Sequence, residues 1–212
     1  MKERPILFSG EMVQAILDGR KTQTRRVVKP QPPADCQAWS GWIICSTCSK
    51  DVEKAAWQDI PGCMPGKSHR VRCPYGQPGD RLWVKESWAV RKEYDKLSGS
   101  KLPKAGREKI FYMADGQKPE WAGRTRSSRF MPRWASRIEL EITDVRVERV
   151  QDISEDDAIK EGITYDAASS CWYDGPQYVL AYANLWDSIN AKRDHSWESN
   201  SWVWAIEFRR IP

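Results

Sequence analysis

Histidine is scarce in this 212-residue chain, which holds only His69 and His195. That scarcity weighs against a metal-dependent ribonuclease, since His195 lies in an Asn-, Ser- and Asp-rich stretch with no ligand spacing. Long apolar runs are missing as well. Nothing approaches the roughly 20 apolar residues of a membrane-crossing helix, so no membrane association is expected. The opening Met-Lys-Glu-Arg-Pro lacks the apolar core of a secretory signal. Together these absences predict a cytoplasmic protein whose six cysteines act as thiols or metal ligands, not as disulfides. No internal repeat is visible, which excludes a solenoid or propeller.

What is present is one domain's worth of chain with twelve tryptophans and a net charge of +5. The charge is uneven. Residues 91–137 carry thirteen Lys/Arg against five Asp/Glu, and residues 138–170 carry three against ten. A basic half beside an acidic one suits a surface that meets phosphate.

The stretch Gly19-Arg-Lys-Thr-Gln-Thr-Arg-Arg26 organises the reading. Before it, Ser9 is a natural N-cap, and Met12, Val13, Ile16 and Leu17 share one helical face. Gly19 suits the left-handed residue that ends a helix. Thr22 and Thr24 alternate beyond it among Arg20, Lys21, Arg25 and Arg26, which favours an extended segment. Two hydroxyls and an amine among arginines suit an anionic or nucleotide-like ligand, or a lysine-activated hydroxyl nucleophile. The same residues also read as a solvated basic turn.

Residues 34–75 hold five of the six cysteines. Cys45-Ser-Thr-Cys48 forms a C-x-x-C knuckle, and Cys63 and Cys73 follow with fourteen and nine residues between. Four thiolates on this Cys-rich insertion predict a structural zinc, with unligated thiols as the alternative and Cys36 and His69 as spare ligands. Zinc would not be needed for catalysis. Next, Arg81 to Val90 reads as one strand whose inward parity is Leu82, Val84, Glu86, Trp88 and Val90. A carboxylate at Glu86 on that face either lines a site or is bonded to an arginine in the core. Residues 91–130 read mostly as a basic loop insertion. The run Arg124 to Arg137 has five arginines, Arg129 and Arg133 among them, and no acid, with Phe130 and Trp134 interleaved. This is the pattern of phosphate contact plus base stacking, or of a solvated loop whose aromatics tuck into the core. Ile138, Leu140 and Ile142 alternate, then Val145 and Val147 take the other parity, as in a curved barrel strand with a bulge. A short helix starts at Ser154 and stops at Gly162, with Glu161 in its last turn. A later helix opens at Pro176 with Tyr178, Tyr182, Leu185, Trp186 and Ile189 as its core stripe. The final strand alternates Trp202, Trp204, Ile206 and Phe208.

Four pieces in this order resemble the ASCH family of PUA-like β-barrels: the helix with Gly19–Arg26, Gly79-Asp-Arg-Leu-Trp-Val84, the Ile153–Thr164 helix, and Trp202-Val-Trp-Ala-Ile-Glu-Phe208. Phe130-Met-Pro-Arg-Trp-Ala-Ser-Arg137 and Leu185-Trp-Asp-Ser-Ile-Asn-Ala-Lys192 are similar to the variant encoded by phages and prophages. The resemblance implies an α+β fold: a single PUA-like mixed β-barrel domain over residues 1–212, flanked by short helices, in the cytoplasm of a bacterium or phage-infected host. One compact bacterial branch of the family hydrolyses the amide of N4-acetylcytidine with a lysine, a threonine three residues on, and a helical glutamate. Lys21, Thr24 and Glu161 match those positions. The resemblance therefore implies amide hydrolysis of an N4-acylated cytosine nucleoside. Arg20, Thr22, Arg25, Arg26, Glu86, Arg129 and Arg133 would bind substrate or nucleic acid. The alternative is a non-catalytic binding module for RNA or modified nucleic acid. A modified nucleoside or RNA is the expected partner, and no protein partner is expected. The chain departs from that branch in the residues after the lysine–threonine pair and in its greater length.

Overall fold

The computed structural model describes residues 1–33, 38–42, 54–58, 68–166 and 177–212. The described chain is α+β. Its strands are β1 (Glu3–Leu7), β2 (Gln23–Val27), β3 (Ala38–Trp42), β4 (Ala55–Gln58), β5 (Ser68–Val71), β6 (Arg81–Lys85), β7 (Trp88–Ala89), β8 (Phe111–Tyr112), β9 (Glu139–Arg149) and β10 (Trp202–Arg210). Its α-helices are α1 (Gly10–Leu17), α2 (Glu155–Lys160) and α3 (Tyr178–Asn190). The main sheet is mixed, in the order β1-β6-β9-β10-β2, with β1 parallel to β6 and β6 antiparallel to β9. Among the described residues this sheet is open, which corrects the closed barrel expected. The chain sends β1 and β2, joined through α1, to opposite ends of the strand order, and each ends as an edge.

The chain divides into two compact units, each assembled from separated segments. The first comprises residues 1–22, 75–144 and 207–212. Its core gathers Ile6, Phe8, Val13, Ile16, Leu82, Val84, Leu140 and Ile142, all buried. The one long strand expected over residues 81–90 is broken. Trp88 leaves the β6 line to pair with Tyr112 of β8, and the backbone N–H of Glu86 donates to Met131 Sδ (3.4 Å). A second cluster then forms around Trp88, Val90, Leu102, Met131 and Ala135. Residues 91–130 otherwise run as short 3-10 turns and loop, as expected.

The second unit comprises residues 23–74 and 145–206. Its core is Val150, Ile153, Ala158, Tyr182, Trp186 and Val203. The α3 stripe holds at Tyr182 and Trp186, whereas Ile189 is exposed. In β10 the expected alternation fails: Trp202 through Ile206 are all buried, because this strand lies inside the sheet with both faces covered. Here β3, β4 and β5 form an antiparallel three-stranded sheet within residues 34–75. The parity change in β9 occurs as expected, with Leu140 and Ile142 buried, then Val145 and Val147, and the boundary between units falls at Asp144.

Candidate functional site

In the first unit, Ser9 Oγ caps α1 by accepting the Met12 N–H at 3.4 Å. The helix ends at Gly19, whose φ of +75° is the left-handed conformation that glycine adopts without steric cost. The Lys21 N–H then donates to the Ala15 carbonyl (2.9 Å), which turns the chain back along the helix end. This carries the Lys21 side chain inward. It is 2% exposed, with Nζ 5.7 Å from the centre of the Phe8 ring. Thr22 is exposed, and its carbonyl accepts from the Phe208 N–H at 2.9 Å. Arg20 stays at the surface, paired with Asp18 at 3.0 Å, an interaction of small energetic weight.

In the second unit, β2 opens with buried Gln23, Thr24 and Arg25, and Thr24 is 3% exposed. Arg25 is the centre of an ion network. Its guanidinium meets Glu148 at 2.5 Å, Asp157 at 2.9 Å and Glu161 at 3.5 Å, and its Cζ stands 6.0 Å from the Tyr182 ring centre. With its amide oriented to satisfy both neighbours, Gln23 donates to Asp157 Oδ1 (3.0 Å) and accepts from Arg25 (2.9 Å). Helix α2 supplies two of the acids because Ser154 caps it, its Oγ accepting the Asp157 N–H, and because Glu161 is its C-terminal cap residue. Glu161 is 5% exposed. Arg146 adds a second cation at 3.7 Å from Glu148 and from Asp157. Burial pushes the Arg25 pKa down, but Glu161, Glu148 and Asp157 outweigh it and leave it raised. Burial also pushes Asp157 up, and Arg25, Arg146 and Lys160 reverse this, so its carboxyl lies below the usual range. Tyr182 goes the other way: burial, reinforced by Glu161, holds its hydroxyl well above the ordinary tyrosine value.

Glu86, in the first unit, is 1% exposed and bonded to Arg137 by two parallel N–H···O contacts, Nε to Oε1 at 2.9 Å and NH2 to Oε2 at 3.0 Å. This is the core arginine pairing that its place in the strand allowed. Burial raises the Glu86 pKa, and Arg137 only partly offsets that. Asp115 completes the cluster, pairing with Arg137 at 2.7 Å. Arg133 is spent on Glu3 (3.1 Å) and Glu139. Arg129 is exposed, and its carbonyl accepts from Lys85 Nζ.

Of the residues expected in a site, the structure thus joins Arg25 to Glu161, while Lys21 and Glu86 belong to the first unit. Arg26 is half-buried in the second. Gln23, Glu148 and Asp157 entered the network without having been singled out, and Tyr182, expected only in the core stripe, borders it. The signal for Asp157 was the acidic first turn of α2, and for Gln23 its alternation with Arg25. Of the expected zinc ligands, Cys45, Cys48 and Cys63, with the spare Cys36, lie outside the described residues, and Cys73 is buried. His69 Nε2 is 3.2 Å from the Pro30 carbonyl. Among the described residues no group of three or more His, Cys, Asp or Glu is arranged to hold a metal, and no helix is long and apolar enough to cross a membrane.

No family model matches this chain, and no curated protein does. Several solved chains are similar to it, two of them as follows. One is an ASCH domain from Lactobacillus crispatus JV V101, with a TM-score of 0.41 and 13% identity over 99% of this chain and 79% of that one. The other is a DUF984 protein from Enterococcus faecalis V583, with a TM-score of 0.40 and 12% identity over 100% of this chain and 76% of that one.

Proposed function

We propose that the protein hydrolyses the amide of an N4-acylated cytosine nucleoside. Thr24 would be the nucleophile, Lys21 its base, and Glu161 the group that passes a proton to the leaving amine. In this reading the Thr24 hydroxyl oxygen attacks the acyl carbon and its proton goes to the Lys21 amine. The carbon–N4 bond then breaks, N4 takes a proton, and water releases the acyl group from Thr24. The observation that carries the reading is burial. An amine and a hydroxyl from one motif frame, and a carboxylate at the end of helix α2, are each at most 5% exposed, in a chain whose polar residues are mostly at the surface. Arg25 supports Glu161 by fixing one of its oxygens, so that the acid is held in position rather than swinging free.

The test is incubation with N4-acetylcytidine, following cytidine release. Wild type is expected to turn over. Thr24→Ala should abolish release, and Lys21→Ala and Glu161→Gln should each cost about 10²- to 10⁴-fold in kcat. Full turnover in Thr24→Ala removes the nucleophile, and an inert wild type removes the hydrolase. The alternative, a non-catalytic module for RNA or modified nucleic acid, would draw instead on the basic stretches 20–26 and 124–137.

A further inference from the structure

The first unit contains a cleft of about 470 Å³ that has no part in the hydrolase reading. Its volume lies within the range of small-molecule sites. Its walls come from β7, the 3-10 turn at Gly99–Lys101 and the stretch 124–132. Their framework is fixed by backbone bonding: Trp88 and Arg126 exchange both N–H···O bonds, at 3.1 and 2.8 Å.

Three features of this cleft point to one ligand chemistry. First, it is cationic, and compensated among the described residues only by Asp95 acting through space and by the Trp88 ring, whose centre lies 5.4 Å from Arg126 Cζ. Arg126 is buried, and its two terminal nitrogens donate to the neutral carbonyls of Leu97 (2.7 Å) and Tyr94 (2.8 Å). Among the described residues neither Arg126 nor Arg124 makes an ion pair. The nearby Asp95 carboxylate is taken by the Arg124 backbone N–H, at 2.9 and 3.0 Å. A buried charge whose one nearby carboxylate is already bonded elsewhere is costly, and an arriving anion relieves that cost. Second, Arg126 Nε and Trp88 Nε1, both in residues that line the cleft, are buried N–H donors with no hydrogen-bond acceptor among the described residues. Buried donors are ordinarily satisfied, so two orphans in one wall mark a place for acceptor oxygens. Third, Phe130 lines the cleft and is 73% exposed, whereas its neighbour Trp134 packs edge-on against Trp88 at 5.8 Å. An aromatic ring left in water beside unpaired arginines supplies a stacking face. The hydroxyls of Ser98 and Ser100, 3.2 Å apart, and of Thr125, which donates to Met113 Sδ at 3.6 Å, also line it and can accept or share bonds with a ligand.

We propose that this cleft binds a nucleotide unit, with its phosphate at Arg124 and Arg126 and its base stacked on Phe130. The same chemistry is offered by a free mononucleotide and by one residue of a single-stranded nucleic acid. Planar stacking and anion pairing together favour a nucleotide over an acidic peptide, whose carboxylate brings no ring.

The full chain is titrated with inorganic phosphate, with cytidine 5′-monophosphate and with a labelled ten-nucleotide oligouridylate. The variants Phe130→Ala and Arg124→Ala change exposed side chains and leave the core intact. Wild type should bind a nucleotide probe more tightly than phosphate. Phe130→Ala should weaken that binding about tenfold without altering phosphate binding. Arg124→Ala should weaken all probes that bind and, if the oligonucleotide is among them, lower its salt slope by about one. Binding of the oligonucleotide alone identifies a nucleic acid as the source, and binding of the mononucleotide as well identifies a free nucleotide. The proposal is overturned if neither nucleotide probe binds wild type, if phosphate binds as tightly as they do, or if both variants bind them undiminished.

Discussion

At the residue scale, Arg25 decides the second unit. Its guanidinium is out of solvent and is shared by Glu148, Asp157 and Glu161. Removing it would leave Glu148 and Asp157 with the longer Arg146 contacts at 3.7 Å and take from buried Glu161 the guanidinium at 3.5 Å. Breaking a buried pair from one side costs about 3–5 kcal/mol. Arg25→Met should therefore lower the urea-unfolding free energy by that amount, and a change under about 1 kcal/mol would show that water enters the network and screens it. Lysine is not an adequate replacement, because a single ammonium cannot present the fork of donors that meets several carboxylates at once. Glu86 and Arg137 repeat the logic in the first unit with one acid and one base.

At the element scale, the turn before the cleft depends on a missing side chain. A Cβ at Gly123 would lie 2.1 Å from Asp95 Oδ1, so the carboxylate that holds the Arg124 N–H can sit where it does only beside glycine. Gly123→Ala must push Asp95 away and release the bifurcated hydrogen bond from the Arg124 N–H, a loss of about 1–3 kcal/mol. It should speed amide exchange at residues 124–126 while leaving α2 and α3 protected. Uniform loss of protection across both units would contradict this. The broken strand at Glu86–Ser87 belongs to the same scale. The period-2 pattern ran unbroken through Val90, yet partners differ along it, β9 for Leu82 and β8 for Trp88, and periodicity carries no information about partners.

At the scale of the whole molecule, stability against acid is set by opposed carboxyls. Asp157 is held below its ordinary value of 3.8, so its contribution is complete above that value and is lost as pH falls through its lower folded value. Glu86 is held above its ordinary 4.5, so its contribution is present at low pH and is lost as pH rises through the raised value. Stability measured from about pH 5 to pH 2 should fall on the acid side, and Asp157→Asn should flatten that fall. An unchanged acid slope would show that the network does not carry the acid response. The sequence by itself determined where α1 and α2 begin and end, the extended run after Gly19, the loop character of 91–130 and the parity change in β9. Caps, a left-handed glycine and side-chain period act within a few residues of chain, so they are readable there. Only the tertiary structure decided that the sheet is open, that β10 is covered on both faces, and which acids meet which arginines. Glu161 stands 136 positions from Arg25, and Arg137 stands 51 from Glu86. Each buried charge must find its opposite wherever folding brings one near, and no local pattern names the partner.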